Sequence, residues 1–226
     1  MPLRESKGNM YTFVTHTWNP IKGRCPHGCE YCYMKRFSLK EQRLDEKELK
    51  TDLGEGRFIF VGSGTDMWAE SVPENWIERT LDYCFMYPDN TYLFQTKNPR
   101  RFEGWFPLLQ KTGYVLGTTI ETNRTYPQMK VAPDGIVPTP HDRAYALSDM
   151  PGRRMVTIEP IMDFDLLDLV YLIEIIDPEW VNIGADSGHN NLPEPPEYKI
   201  RNLIKQLREI TQVHLKSNLS RIYKEA

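Results

Sequence analysis

The chain has 226 residues, 40% of them apolar and 12% aromatic, with a formal net charge of −3. That composition supports one packed domain, and α/β barrels of this length are commonly undivided, so residues 1–226 are read as a single domain. No apolar run approaches the ~20 residues that cross a bilayer, the first residues lack a signal-type apolar stretch, and the mild negative charge argues against tight nucleic-acid binding through bulk electrostatics.

The first β-rich run is Tyr11–Trp18. The loop that follows, residues 19–36, contains Cys25-Pro-His-Gly-Cys29-Glu-Tyr-Cys32, three cysteines within eight residues. Thiolates are soft ligands for zinc or iron–sulfur centres. A closed structural zinc site takes four ligands, so a zinc reading needs His16 or His27 as the fourth. A [4Fe–4S] cluster on three thiolates leaves one iron open, which is a catalytic arrangement. The four cysteines of the chain show no disulfide framework. A reducing, cytoplasmic compartment is therefore expected.

Apolar spacing predicts a helix over Phe37–Leu53 and a second over Pro73–Met86, where Cys84 reads as core. Between them the strand Arg57–Val61 ends in Gly62-Ser63-Gly64-Thr65-Asp66, where glycines let backbone approach a ligand closely. The strand Thr91–Gln95 leads into Thr96-Lys97, which places a cation suited to carboxylate or phosphate at its end. Shorter helices are expected over Pro99–Leu109 and around Arg143–Ser148. The strand Tyr114–Ile120 ends near Thr119 and Glu121. A proline-rich stretch, 126–141, reads as a long loop that is either a lid or a connector.

The strand Arg154–Ile158 delivers Glu159, a carboxylate that needs a cationic or ligand partner if buried. After the helix Asp163–Ile176, the strand Trp180–Ile183 ends in a small, polar loop carrying Asp186 and Ser187. The helix Glu197–Ile210 and the strand Gln212–Leu215 follow, and Lys216 comes last. Such alternation predicts a parallel sheet wrapped by helices. Ligands of such sheets sit at the carboxyl ends of the strands. Charge is uneven: residues 1–50 carry ten Lys/Arg against six Asp/Glu, whereas 151–200 carry three against ten.

The Cys-x3-Cys-x2-Cys spacing, with Tyr31 just before the last cysteine, resembles the signature of the radical S-adenosylmethionine (radical SAM) enzymes. The resemblance implies a partial (β/α)6 TIM-type barrel with the cluster loop after the first strand. It implies a [4Fe–4S] cluster on Cys25, Cys29 and Cys32, with SAM on the fourth iron. An external electron donor of the flavodoxin or ferredoxin type would reduce the cluster and so generate a 5′-deoxyadenosyl radical. It assigns cofactor contacts to Tyr31, Ser63, Thr65, Asp66 and Glu159, and ribose contacts to Thr119 and Glu121. Lys97, Asp186, Ser187 and Lys216 are the expected substrate groups.

The segments Thr17-Trp18-Asn19-Pro20, Thr65-Asp66-Met67-Trp68, Gln95-Thr96-Lys97, Ile158-Glu159-Pro160 and Gly184-Ala185-Asp186-Ser187-Gly188 together look like a phage-associated radical SAM family of unresolved activity, distantly similar to spore photoproduct lyase. The implied substrate is a DNA base or nucleotide, on which Tyr33, Phe37, Trp68 or Trp105 could stack. The alternatives are a small-molecule or peptide substrate, or a non-catalytic Fe–S or zinc protein.

Overall fold

The computed structural model describes residues 3–131 and 137–225. Its main sheet has the order β1-β2-β5-β6-β7-β8-β9-β10. Edge strand β1 (Arg4–Glu5) runs antiparallel to β2 (His16–Trp18). From β2 onward every pairing is parallel, through β5 (Phe58–Val61), β6 (Thr91–Thr96), β7 (Gly113–Thr119), β8 (Arg154–Ile158), β9 (Trp180–Ile183) and β10 (Gln212–Leu215). The connections carry α1 (Glu74–Phe85), α2 (Phe106–Leu109), α3 (Pro140–Ser148), α4 (Leu166–Ile176) and α5 (Glu197–Leu207).

The two faces of the sheet do different work. Ile59, Val61, Tyr92, Phe94, Leu116, Val156, Val181 and Ile183 point outward and share one core with Ile77, Leu81, Leu172, Ile173, Leu203 and Ile204 of the helices. These side chains alternate along each strand, as the two-residue period requires. The inward set, Leu93, Val115, Met155 and Trp180, packs instead on Tyr11 and Val14. Phe13 lies 5.0 Å from the Phe58 ring on β5 and 4.9 Å from the Trp180 ring on β9. One ring touching strands four places apart requires the sheet to curl around it. The result is a partial barrel whose interior is filled by residues 10–14.

This corrects the expectation that Tyr11–Trp18 is one strand. Parallel pairing with β5 covers only His16–Trp18, with Thr15 N–H donating to the Phe58 carbonyl at 2.9 Å just before it. The aromatics ahead of it fill the barrel. The helix expected over Phe37–Leu53 is also absent. A short 3-10 turn, Tyr33–Arg36, precedes that region, which holds β4 (Arg43–Leu44) paired with β3 (Ile21–Lys22), then a second 3-10 turn, Glu48–Lys50. Leu39, Leu44, Leu49 and Leu53 are spaced five, five and four apart. Steps of five residues rotate a helix by about 140°, so they build no continuous apolar stripe. Lys22 bonds Asp45 at 2.7 Å and Glu48 at 2.6 Å, tying the hairpin to the second turn.

Candidate active site at the cysteine loop

The cysteine loop lies over the carboxyl ends of β2, β5, β6 and β7. Cys29 is buried and Cys25 and Cys32 are half-buried. Burial pushes the Cys32 thiol up, and the neighbouring Cys25 and Cys29 add to that shift. Cys84, by contrast, is fully buried in α1, and burial holds its thiol protonated.

Two buried charge clusters support this loop. In the first, Asp66 accepts from Thr96 Oγ1, Lys97 N and Trp68 N, each at 2.9 Å, and lies 3.2 Å from His27 Nδ1. Burial raises the Asp66 carboxyl, but His27 and the N–H groups of Lys97 and Trp68 together shift it downward. Burial disfavours the imidazolium of His27, yet the Asp66 charge pushes it up to about 10. Its Nε2 is buried with no partner. Asp66 thus pins the loop after β5 to the end of β6 and to the cysteine loop at once.

In the second cluster, Glu121 at the end of β7 is completely buried. One oxygen receives Lys97 Nζ at 2.5 Å and the Tyr31 hydroxyl, and the other receives Arg143 Nη1 at 2.8 Å. Burial alone would raise the Glu121 carboxyl, but Arg143 and Lys97 hold it at about 2. Burial also raises the Tyr31 hydroxyl, and Glu121 adds to that shift. Burial disfavours the Lys97 ammonium, yet Glu121 and Tyr31 hold it well above its ordinary value. Lys97 further donates to Cys29 Sγ at 3.3 Å. Arg143 comes from α3, whose start is fixed by a reciprocal cap: Thr139 Oγ1 accepts from Asp142 N at 3.1 Å and Thr139 N donates to Asp142 Oδ2 at 3.2 Å. Such caps satisfy otherwise unpaired donors.

The remaining expected residues fall into two groups. On the cysteine side, Ser63 Oγ meets Asn19 Oδ1 at 3.3 Å, Gly64 N donates to the same oxygen at 2.8 Å, and Thr65 Oγ1 accepts from Gln42 at 3.1 Å. Thr119 Oγ1 accepts from Gln95 Nε2 at 3.2 Å, and Gln95 in turn accepts from Tyr11 at 2.9 Å. Across the mouth, Glu159 has the cationic partner its position demands. Lys216 Nζ reaches it at 2.6 Å and sits 4.7 Å from the Tyr11 ring centre. Asn9 and Asn218 also donate to Glu159, at 3.1 and 2.8 Å. Asp186 accepts from Gly188 N at 2.9 Å and Asn190 N at 2.5 Å, so it closes its own loop. Ser187 is exposed and accepts from Asn218 at 2.8 Å.

Of the loop 126–141, residues 132–136 lie outside the described residues. The preceding turn is docked on the cysteine loop: Glu30 N donates to the Gln128 carbonyl at 2.9 Å, Cys29 Sγ lies 3.7 Å from the Met129 carbonyl, and Lys130 pairs with Glu30 at 2.6 Å. Sequence reasoning missed His27 as the partner of Asp66, and it missed Arg143 and Asn19. Asn19 and His27 lie inside segments already singled out, whereas nothing local marks Arg143.

The donor chemistry fits a thiolate-held centre. Among the described residues no group of three or more His, Cys, Asp and Glu side chains is gathered closely enough to hold a metal ion, and this is as true of Cys25, Cys29 and Cys32 as of His16 and His27. His27 Nδ1 is committed to Asp66, and its orphaned Nε2 suits an anionic group arriving at the loop. Lys97 already faces Cys29.

A model of the family described as "Protein of unknown function (DUF5131)" matches residues 9–214. The chain belongs to this family. No curated protein matches its sequence. Among solved structures, one variant of spore photoproduct lyase superposes with a TM-score of 0.61 at 8% identity, covering 95% of this chain and 80% of that one. A second variant gives 0.59 at 9%, covering 94% and 80%. A third, with bound AdoMet and dinucleoside spore photoproduct, gives 0.53 at 10%, covering 92% of this chain and 66% of that one. These likenesses establish the fold of the DUF5131 chain, a mostly parallel α/β partial barrel.

Proposed function

We propose that the chain is a radical SAM enzyme acting on a nucleobase-containing substrate, a DNA base or nucleotide. The observation that carries this reading is the cysteine triplet, set after the first parallel strand over the carboxyl ends of the sheet in a spore photoproduct lyase fold. Cys25, Cys29 and Cys32 would hold a [4Fe–4S] cluster. When bound, a cluster reduced by the external donor would supply one electron to SAM, whose sulfonium C–S bond would break to leave methionine and a carbon radical able to take a hydrogen atom from substrate.

The rest of the site is the work of protein groups. Lys97, fixed by Glu121 and Tyr31, orients a positive charge toward Cys29. The loop 62–66, braced by Asn19, offers backbone and hydroxyl groups to the SAM amino acid moiety. Thr119, on the inward face beside Gln95, is the group assigned to ribose, and Glu121 holds its surroundings in place. Substrate would enter between the cysteine side and the Lys216–Glu159 side of the mouth. That a solved relative carries AdoMet and a dinucleoside supports the substrate class. The phage association implied by the sequence resemblance, and action in a reducing cytoplasm, extend the same proposal. Among the described residues no helix is long and apolar enough to cross a membrane.

Anaerobic reconstitution should give about four iron per chain, the content of one [4Fe–4S] centre. Reduced protein with SAM should release 5′-deoxyadenosine, and digested host or phage DNA treated with it should show an altered nucleoside by mass spectrometry. Stoichiometric zinc without visible absorption would overturn the cluster. SAM cleavage with no change in DNA, RNA or free nucleotides would overturn the substrate class.

A further inference from the structure

Basic residues are concentrated on one side of the mouth. Between residues 24 and 43 the chain has five Lys/Arg and two Glu, within a molecule of net charge −3. Arg24, Lys35, Arg36, Lys40 and Arg43 are all exposed. Among the described residues none of these five is ion-paired, whereas Glu30 is already neutralised by Lys130 at 2.6 Å. Arg24 and Lys40 are brought together by a backbone bond of 2.9 Å and line a cleft of about 500 Å³ with Leu39, Glu41 and Gln42.

Aromatic rings are interleaved with these charges. Tyr33 and Phe37 are each 50% exposed, while Trp68 is fully buried and serves the core. The Arg36 guanidinium lies 5.7 Å from the Tyr33 ring centre and 5.0 Å from that of Phe37. The turn that carries them is anchored to the mouth, because the Tyr33 hydroxyl donates to the Ser63 carbonyl at 2.7 Å. A solvated charged face would explain the cations but not two half-exposed rings bracketing an arginine. A positive groove with exposed rings is the combination that holds a single nucleic-acid strand, phosphates on the cations and bases on the rings. A protein partner would also use rings and arginine at its interface, and the electron-donor arm of the test below separates it from a nucleic-acid strand.

We propose that this face, from Arg24 and Lys40 to the rings of Tyr33 and Phe37, is a track that leads one nucleic-acid strand to the cysteine-loop mouth. The inference rests on the nucleobase reading above and adds where the strand lies. It is tested by binding of a fluorescein-labelled single-stranded DNA oligonucleotide to the full, anaerobically reconstituted chain. Five phosphate contacts imply a salt slope of about −3.5 for a single strand, or about a hundredfold loss of affinity between 50 and 200 mM salt. The triple variant Lys35→Gln, Lys40→Gln, Arg43→Gln should keep two contacts and lose only about sevenfold over that range. Phe37→Ala should weaken binding about tenfold at every salt concentration, as a lost stacking platform does, and leave the slope unchanged. Unaltered iron content and thermal midpoint serve as folding controls.

A triple variant with the wild-type salt slope overturns the track. If that variant still modifies DNA, the substrate reading survives without it. If the wild type binds no oligonucleotide yet cleaves SAM, the track falls while the radical enzyme stands, and the nucleobase reading falls with it only when DNA, RNA and free nucleotides are all left unmodified. If the variants bind oligonucleotide normally but lose reduction by an acidic flavodoxin, the face belongs to an electron donor and the proposal is overturned.

Discussion

Replacing Glu121 by glutamine tests the buried network from which the cysteine loop is hung. The substitution keeps the shape and removes one negative charge. In the native protein that charge serves two cations, Arg143, whose side chain is completely buried, and Lys97, which is 13% exposed. Removing one partner of a buried pair typically costs about 3–5 kcal/mol, because the other charge is left uncompensated. Here two cations lose their counterion, and Arg143 cannot turn to water. We therefore expect a loss near the top of that range, about 5 kcal/mol. For a chain of this length each kcal/mol moves the thermal midpoint by about 2–4 °C, so the drop should be about 10–20 °C.

The control is Arg143→Met. It removes the more deeply buried ion but leaves Lys97 and Glu121 as a neutral pair 2.5 Å apart. That variant should lose less than Glu121→Gln, even though it also forfeits the bond from Arg143 to the Thr119 carbonyl. Calorimetric unfolding of the cluster-free proteins, run side by side, decides the matter. A midpoint for Glu121→Gln within about 2 °C of wild type, equivalent to no more than about 1 kcal/mol, or an order in which Arg143→Met is worse, would refute the charge argument.

Other outcomes follow from the same geometry. Glu121 is held at about 2 against an ordinary 4.5, so its stabilising contribution is whole above about 4.5 and is lost as pH falls through about 2; acid unfolding of Glu121→Gln should be flatter than wild type in that window. Cys25→Ser, Cys29→Ser and Cys32→Ser should each abolish iron binding on anaerobic reconstitution, whereas Cys84→Ser, in the α1 core, should leave iron content unchanged. Gly184→Ala would set a methyl 2.7 Å from Glu159 Oε1 and 3.0 Å from Asn218 Oδ1. It should cost about 1–3 kcal/mol by overpacking, and an unchanged thermal midpoint would show that the Glu159 cluster yields freely.

The strands were legible because a parallel sheet covered on both faces leaves nearly unbroken apolar runs, as at Phe58–Val61 and Trp180–Ile183. Tyr11–Val14 misled for the same reason. An aromatic run that fills a barrel has the composition of a strand, and only the curl of the sheet tells them apart. The segment after the cysteines misled by its leucines, which are anchored singly by a hairpin and a 3-10 turn. Within the site, the cysteines were legible because soft ligands at close spacing have few other uses. The strand-end polar residues were legible as a set, but their partners were not. Lys97, Glu121 and Arg143 are distant from one another in sequence, and nothing local marks Arg143 as buried rather than solvated.

The partners also explain why the cysteine loop and the sheet form one unit. Asp66 and Glu121 each reach at least two elements: Asp66 binds the cysteine loop through His27 and the end of β6 through Lys97 N, while Glu121 binds the cysteine loop through Tyr31 and α3 through Arg143. The first cluster balances one cation against one carboxylate. The second holds two cations and one carboxylate, a surplus of one positive charge, and its ammonium is 3.3 Å from Cys29 Sγ. A buried surplus of this kind is costly unless an anion meets it. In the proposed function, Cys29 and its neighbours bound as thiolates would supply the missing negative charge beside Lys97. The burial of Lys97 and Arg143 around a single carboxylate therefore supports the proposal of a thiolate-held centre from a part of the chain remote from the cysteine spacing.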